Sequence, residues 1–191
     1  MRRPRSATED LLRVASASAA GLGVVYAVNG LTREDAHPTV TLTDAAYPPL
    51  ADLHVESLGG PLAEVWVSDL TRVESSVARI GLWGTLLLVA GFVALLALHA
   101  GHADRRAAGR LVAPGPYLRA AAVAAVVVAV AQPLLQRLGG EVVLAAIGSP
   151  PGYVPHGTVA WFWPALAALL LLGTRIPLRP RRAHVPLPRA T

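Results

Sequence analysis

The sequence predicts an all-α integral membrane protein with four transmembrane helices and a small extracytoplasmic loop segment that contains β-strands. Four apolar stretches, the distribution of charge between them and the aromatic residues at their ends lead to this prediction. The stretches are residues 11–29, 80–98, 118–135 and 158–174, and none contains Asp, Glu, Lys or His. Runs of about 18–20 apolar residues are long enough to cross a bilayer as helices.

Arginine divides the segments between these stretches into two sides. All 17 basic residues are Arg, and most lie in the N-terminal tail, the loop after the second stretch and the C-terminal tail. Most of the 12 acidic residues lie in the two remaining segments. The positive-inside rule therefore places the Arg-rich side in the cytoplasm, with both termini inside the cell. The main determinants of this predicted topology are Arg105, Arg106, Arg110, Arg179, Arg181 and Arg182.

The same topology divides the chain into tails, spans and loops of a protein in the cell membrane. The inner segments are residues 1–10, 99–117 and 175–191, and the outer segments are residues 30–79 and 136–157. The lipid bilayer is the predicted main partner, and another membrane protein or a second copy is a further one. Basic charge beside membrane spans attracts anionic lipid headgroups, so we expect no nucleic-acid binding.

Aromatic residues mark the predicted membrane interfaces. An amphipathic ring prefers the headgroup layer, where its polar edge stays hydrated. Tyr26, Trp83, Trp161 and Trp163 fall at the outer ends of the predicted helices, and Tyr117 falls at an inner end. These five residues are predicted to anchor the helices at the interfaces.

The first helix carries small residues at four-residue spacing, which places them on one ridge where another helix backbone approaches closely. They are Ala15, Ala19, Gly23 and Ala27. Packing within the chain is the simpler interpretation, with Ala121, Ala125 and Ala129 of the third helix as partners, and contact between two copies is the alternative. The same region also resembles a signal peptide with a Val25-x-Ala27 cleavage pattern. The regular ridge favours the uncleaved helix.

The first outer segment shows strand periodicity in three places. Residues 39–43 and 64–68 alternate between apolar and polar types, and residues 54–56 fit a third short strand. We expect a small β-cap that rests on the outer helix ends, followed by a short helical lead over residues 69–78. Pro133 is predicted to kink or end the third helix, and residues 142–147 fit either a helical turn or a strand.

Candidate metal ligands occur at the inner end of the second helix. His99 and His102 share a helix face at i, i+3 spacing, and Asp104 adds a carboxylate. A further ligand has no clear source, and histidines at a helix C-terminus also complement the helix dipole. The sequence therefore predicts no metal and no other cofactor. A second candidate is an outer pocket lined by His156, although membrane anchoring explains the nearby tryptophans more simply.

The apolar stretches hold almost no group that could perform chemistry. The chain has no cysteine, which excludes thiolate catalysis, and it has no phosphate-binding loop or nucleophile elbow. Gln132 is the only side-chain amide well inside a predicted span. Proton relays and ion pathways usually need ionisable residues inside the bilayer, so we expect a protein that is not an enzyme.

The inner loop ends in Pro114-Gly115-Pro116-Tyr117-Leu118-Arg119, which is similar to a Gly-x-Pro-Phe motif followed by an Arg-led helix. With the order of helices and outer segment, this motif resembles the bacterial domain-of-unknown-function family 2975. The resemblance covers residues 11–174 in layout. It implies a four-helix membrane protein with no known activity, of a kind that works beside a small transcription regulator.

These observations favour a non-enzymatic membrane anchor, scaffold or sensor that presents residues 30–79 outside and Arg-rich segments inside. Two alternatives remain open at this point. An accessory subunit of a membrane complex would be unstable when expressed alone. An oligomeric small-molecule permease would assemble around the small-residue ridge and enclose a hydrated path.

Overall fold

The computed structural model describes residues 7–43, 54–107 and 115–175 of the chain. The described residues are mostly helical, with one small antiparallel sheet. The elements are, in order, α1 (Ala7–Thr32), β1 (Thr39–Leu42), β2 (His54–Gly59), β3 (Leu62–Trp66), α2 (Arg72–Ala78), α3 (Ile80–Ala107), α4 (Gly115–Ala146), β4 (Tyr153–Pro155) and α5 (Phe162–Arg175).

The long helices form a row in which α3 lies between α1 and α4, and α4 lies between α3 and α5. Neighbours along the row run antiparallel. At one end of the row, Glu9 of α1 meets Gly101 of α3, and toward the other end Gly23 of α1 meets Leu87. The four strands lie at the end where α1 finishes and α3 begins, so both predicted outer segments lie at the same end of the bundle.

Three of these helices are long and apolar enough to cross a membrane, namely Ala7–Thr32, Ile80–His102 and Pro116–Ala146. The fourth predicted span corresponds to α5, which has 14 residues. At a rise of about 1.5 Å per residue such a helix is about 21 Å long, whereas the hydrocarbon core measures about 30 Å. The described residues therefore form a mostly helical protein with three helices long enough to span a membrane, a shorter apolar helix and a small sheet.

The surface of the helical row is apolar to an extent that soluble proteins do not show. In the most apolar 18-residue stretch of each helix, the buried share is only 6% for α1, compared with 22% for α3 and 28% for α4. The exposed apolar side chains include Val14, Val24, Val25 and Val28 on α1, Val123, Val126, Val127 and Val130 on α4, and Leu169, Leu171 and Leu172 on α5. Side chains of this kind face lipid at no cost, because lipid tails are as apolar as the side chains themselves.

The sheet combines strands from both predicted outer segments in the order β2-β3-β1-β4. β2 and β3 form a hairpin, and Gly60 in its turn has φ 58°, a conformation that favours glycine. β1 pairs antiparallel with β3 through Val40 opposite Ala63, and with β4 through Thr41 opposite Val154. The three strands expected in residues 30–79 are present, and β4 adds a fourth from the second outer segment.

Helix α4 does not end at Pro133 but continues to Ala146. Proline removes a single backbone donor, and packing beyond it compensates for that loss. Val143 and Leu144 are buried under the sheet with Val40, Val65 and Tyr153. The last three turns of α4 therefore form the floor of the β-cap, and the segment expected as a loop from residue 136 begins as helix.

The middle of the bundle is filled by small residues and two aromatic rings. Ala121 and Ala125 of α4 are fully buried, and they pack with Phe92 of α3 and Trp163 of α5. The Phe92 and Trp163 rings meet edge to face with centroids 5.4 Å apart. The expected pairing of the α4 alanine ridge with α1 is therefore wrong, because α3 separates these two helices.

Candidate functional site

A cleft opens where the β-cap meets the outer ends of α3 and α4. Its volume is about 370 Å³. In the part of the chain that the structure describes, the lining combines seven polar residues with an apolar wall and contains no Arg, Asp or Glu. The polar residues are His37, Thr39, Thr85, Gln132, Gln136, His156 and Thr158, and the rest are Pro38, Ala78, Gly81, Leu82 and Leu86.

Two glutamines one helical turn apart on α4 form the deeper polar side of the cleft. Gln136 accepts a hydrogen bond from the backbone N–H of Thr158 at 2.7 Å, so the connection to α5 fixes its Oε1 atom. Across the cleft on α3, the Thr85 hydroxyl donates to the Gly81 carbonyl at 2.6 Å. Within residues 7–43, 54–107 and 115–175, the Gln132 amide has no hydrogen-bond partner.

His156, which follows β4, is held from two sides by strand β1. Its Nδ1 atom lies 2.9 Å from the Thr41 hydroxyl oxygen, and its backbone N–H donates to the Thr39 carbonyl at 3.4 Å. Pairing of β4 with β1 is therefore what positions this imidazole at the cleft.

His37 connects the cleft to a charged network behind it. Its Nε2 atom lies 3.1 Å from Asp35 Oδ2, and its ring meets the Trp66 ring edge-on with centroids 4.0 Å apart. The Nδ1 atom of His37 is buried and, among the described residues, has no hydrogen-bond partner. One side of this imidazole is thus committed to a carboxylate, and the other is enclosed by the protein.

The charged network joins the end of α1 to the junction between α2 and α3. Arg79, at this junction, lies 3.4 Å from Asp35 Oδ1 and donates to the Ser75 hydroxyl, which in turn donates to the Asp35 carbonyl at 3.1 Å. Arg33 is a more distant partner, 3.9 Å from Asp35 Oδ2. Burial alone would raise the pKa of Asp35, but the His37 hydrogen bond and the Arg79 guanidinium together hold it below its usual value.

This arrangement suits binding through hydrogen bonds. Amides and hydroxyls donate and accept hydrogen bonds, and neutral imidazole does both through its two nitrogens. Across the described parts of the chain, no group of three or more His, Asp or Glu side chains lies close enough to hold a metal ion. The neighbouring carboxylate and guanidinium are already paired with each other.

The cleft contains two residues that the sequence singled out and several that it did not. His156 lines it as expected, without the two tryptophans, and Gln132 lines it as the one amide inside a predicted span. His37 and Gln136 were missed. The i, i+4 spacing of Gln132 and Gln136 is the signal that would have found the second glutamine, whereas His37 has no local signal.

The candidate metal ligands lie at the opposite end of the bundle from the cleft. His99 and His102 lie on the last turns of α3, and the side chain of Asp104 lies outside the described residues. The His102 ring lies against the Tyr117 ring of α4 with centroids 4.5 Å apart. His102 and Tyr117 therefore have a packing role where α3 and α4 meet.

Helix α1 contacts its neighbours at Ser16, Gly23 and Gly30, which are spaced seven residues apart. Ser16 donates to the Ala90 carbonyl at 2.9 Å, Gly23 lies against Leu87 and the Trp83 carbonyl, and Gly30 lies against Ser76. Of the predicted ridge, Gly23 is buried and Ala19 and Ala27 are half-buried, whereas Ala15 is exposed. Seven-residue spacing is typical of left-handed helix packing.

The predicted interface aromatics divide into exposed and buried residues. Trp161 is 78% exposed and Tyr26 is 38% exposed, as anchors would be. Trp83 donates from its indole N–H to the Ser76 carbonyl at 3.0 Å, which joins α3 to α2. Trp163 is 6% exposed and lies inside the bundle. The side chains of the six topology-determining arginines lie outside the described residues.

Comparisons with protein-family models, with curated proteins and with solved structures find no match to this chain. The resemblance to family 2975 stays a prediction based on layout.

Proposed function

We propose that this chain is a non-enzymatic sensor of the inner membrane, with the β-cap outside the cell and the Arg-rich segments in the cytoplasm. The observation that carries this proposal is the position of the cleft between the cap and helices α3 and α4. A molecule bound there would contact strand residues and membrane helices at the same time. Its binding energy would therefore act on the packing of the cap against the bundle.

The sheet supports the proposed threading of the chain. β1 and β4 are hydrogen-bonded neighbours, so the segments before α3 and after α4 must lie on the same side of a membrane. Two consecutive crossings by α3 and α4 satisfy this requirement. The inner loop between them then lies on the opposite side, and its arginines favour the cytoplasm for that side.

A crossing by α5 completes the proposed four-span topology. Trp163 and Ala167 are buried against α3 and α4 in the middle of the bundle, so α5 begins inside the same layer as the three long helices. Local thinning of the bilayer accommodates a short span at a modest cost. The arginines that follow α5 favour a cytoplasmic C-terminus.

Reporter fusions test the topology directly. A reporter that is active only in the cytoplasm is expected to work at Thr191 and to fail at Asp52. Activity at Asp52 would overturn the orientation, and inactivity at Thr191 together with inactivity at Asp52 would show that α5 does not cross.

Isolation from gently solubilised native membranes tests the sensor role. A tagged chain, identified by mass spectrometry and sized in its native state, is expected to bring down a stoichiometric signalling partner. A monomeric chain without any partner would contradict the proposal. A homo-oligomer without a partner would favour the permease alternative instead.

A further inference from the structure

We infer that the cleft binds a small uncharged molecule that both donates and accepts hydrogen bonds, of the primary amide or polyol class. This inference rests on the proposed function, because it names the chemical class that the sensor would detect. It is carried by the unsatisfied polar atoms of the lining, by the absence of charge there and by the cavity volume.

Gln132 gives the first argument. An amide inside a membrane span costs free energy unless its hydrogen bonds are made. The described residues offer Gln132 no partner, and the Gln136 amide uses its oxygen on the Thr158 N–H while its NH₂ group makes no bond to those residues. The cleft must therefore hold a hydrogen-bonding species at this depth, either water or a ligand that replaces it.

The imidazoles give the second argument. The His37 ring lines the cleft, but its Nε2 atom lies 3.1 Å from Asp35 Oδ2 and its Nδ1 atom is buried, so His156 is the imidazole that can bind a ligand. His156 uses Nδ1 on the Thr41 hydroxyl, which leaves its Nε2 atom for the cleft. The lining thus offers amide groups on the helix side and the His156 imidazole on the cap side, and a molecule with donors and acceptors at both ends would satisfy them together.

Charge gives the third argument. Among residues 7–43, 54–107 and 115–175, no Arg, Asp or Glu lines the cleft. Asp35 and Arg79, behind the cleft, are paired with each other through a contact of 3.4 Å. A charged molecule would lose its hydration without gaining a counter-charge, and this loss is expensive.

Size gives the fourth argument. The volume of about 370 Å³ lies near the lower end of the range of roughly 300–1,000 Å³ that small-molecule sites occupy. Leu82 and Leu86 supply an apolar wall on α3. A compact molecule with a short carbon skeleton fits this combination of polar and apolar lining.

Cysteine accessibility tests the inference, because the full chain has no native cysteine. Gln132→Cys in native membranes is treated with three methanethiosulfonates of similar size, carrying a 2-hydroxyethyl, a sulfonatoethyl or a trimethylammonioethyl group. Ser57→Cys, on the exposed strand β2, normalises the intrinsic reactivity of each reagent. Val130→Cys is the matched control, since this neighbouring α4 residue is 56% exposed toward the proposed lipid side.

We expect the uncharged reagent to modify the Gln132→Cys variant about tenfold faster than either charged one, which corresponds to about 1.4 kcal/mol of charge exclusion. Val130→Cys should resist all three reagents. Acetamide should slow the reaction of Gln132→Cys, whereas its charged isostere acetate at equal concentration should not. Thr85→Cys provides a second position in the cleft if the first variant does not fold.

Equal normalised rates for all three reagents would overturn the preference for uncharged molecules. A lack of reaction at both cleft positions would show that the cleft is closed to water and would overturn the site itself. Faster reaction with a charged reagent would replace the inferred class by an ion. These outcomes do not depend on the reporter fusions or the partner isolation, so the inference and the proposed function fail separately.

Discussion

Replacing Gly30 by leucine tests the line of contact that holds α1 to the rest of the bundle. A Cβ atom added at Gly30 would lie 2.8 Å from the Cα atom of Ser76 in α2 and 3.3 Å from its Cβ atom. Gly21, on the same helix, has no atom within 4 Å of the equivalent position. Gly21→Leu is therefore the matched control, with the same chemical change on a face without protein neighbours.

The expected magnitude follows from overpacking and helix propensity. Atoms forced into a filled site typically cost about 1–3 kcal/mol, and the cost rises where they meet backbone that cannot change rotamer. Replacing glycine by a better helix former returns up to about 0.8 kcal/mol at either position. We expect Gly30→Leu to lower the free energy of unfolding by about 2 kcal/mol or more, and Gly21→Leu to leave it unchanged or slightly raised.

Unfolding by SDS in mixed micelles, followed by far-UV circular dichroism and tryptophan fluorescence, measures the difference. Trp83 reports on the same region, because its indole N–H donates to the Ser76 carbonyl. The same unfolding midpoint for Gly30→Leu and Gly21→Leu would refute the seven-residue contact line. A loss of native size in Gly21→Leu would instead show that small residues of α1 mediate contact between copies.

Three further predictions concern single side chains. Trp163→Ala should lower the free energy of unfolding by about 3–5 kcal/mol because the ring is buried, while Trp161→Ala, at a position 78% exposed, should change it by less than about 0.5 kcal/mol in the same SDS titration. The pKa of Asp35 is lower in the folded protein than in the unfolded chain, so ionised Asp35 stabilises the fold above about pH 4 and this contribution is lost as the pH falls further. Asp35→Asn should therefore reduce the loss of stability between about pH 5 and about pH 2. The same dependence of stability on acid pH in both proteins would contradict this. Thr71→Ala removes the acceptor for the Glu74 backbone N–H in the capping box of α2 and should cost about 1 kcal/mol, visible as faster amide hydrogen exchange in that helix alone.

Local composition was enough to predict the long helices, because apolar length is a property of sequence alone. The contact face of α1 was not predictable in the same way. Four-residue spacing selects a ridge on an isolated helix, whereas two helices that wind around each other meet at positions that alternate between three and four residues apart and repeat every seven. Ser16, Gly23 and Gly30 follow that spacing, and Ala15 of the predicted ridge faces away from the protein.

The end of α4 shows how tertiary packing overrides a local signal. Pro133 removes one backbone donor and predicts a kink or an end of the helix near residue 133. The helix continues because Val143 and Leu144 gain a buried position beneath the sheet. Gly139 permits this course, since a Cβ atom there would lie 2.5 Å from the Ala78 carbonyl oxygen.

The cleft depends on an element that has almost no sequence signature. β4 has three residues, too few to show strand alternation, and it forms because β1 offers an unpaired edge. That pairing brings His156 next to Thr41, and from there to the glutamines of α4. Sequence reasoning could note an amide inside a span and a histidine outside it, but only the pairing of two distant strands places them around one cavity. The same dependence predicts that disrupting the β1–β4 pair should alter the reactivity of the thiol in Gln132→Cys without unfolding the helical row, because the bundle core of Phe92 and Trp163 lies apart from the sheet.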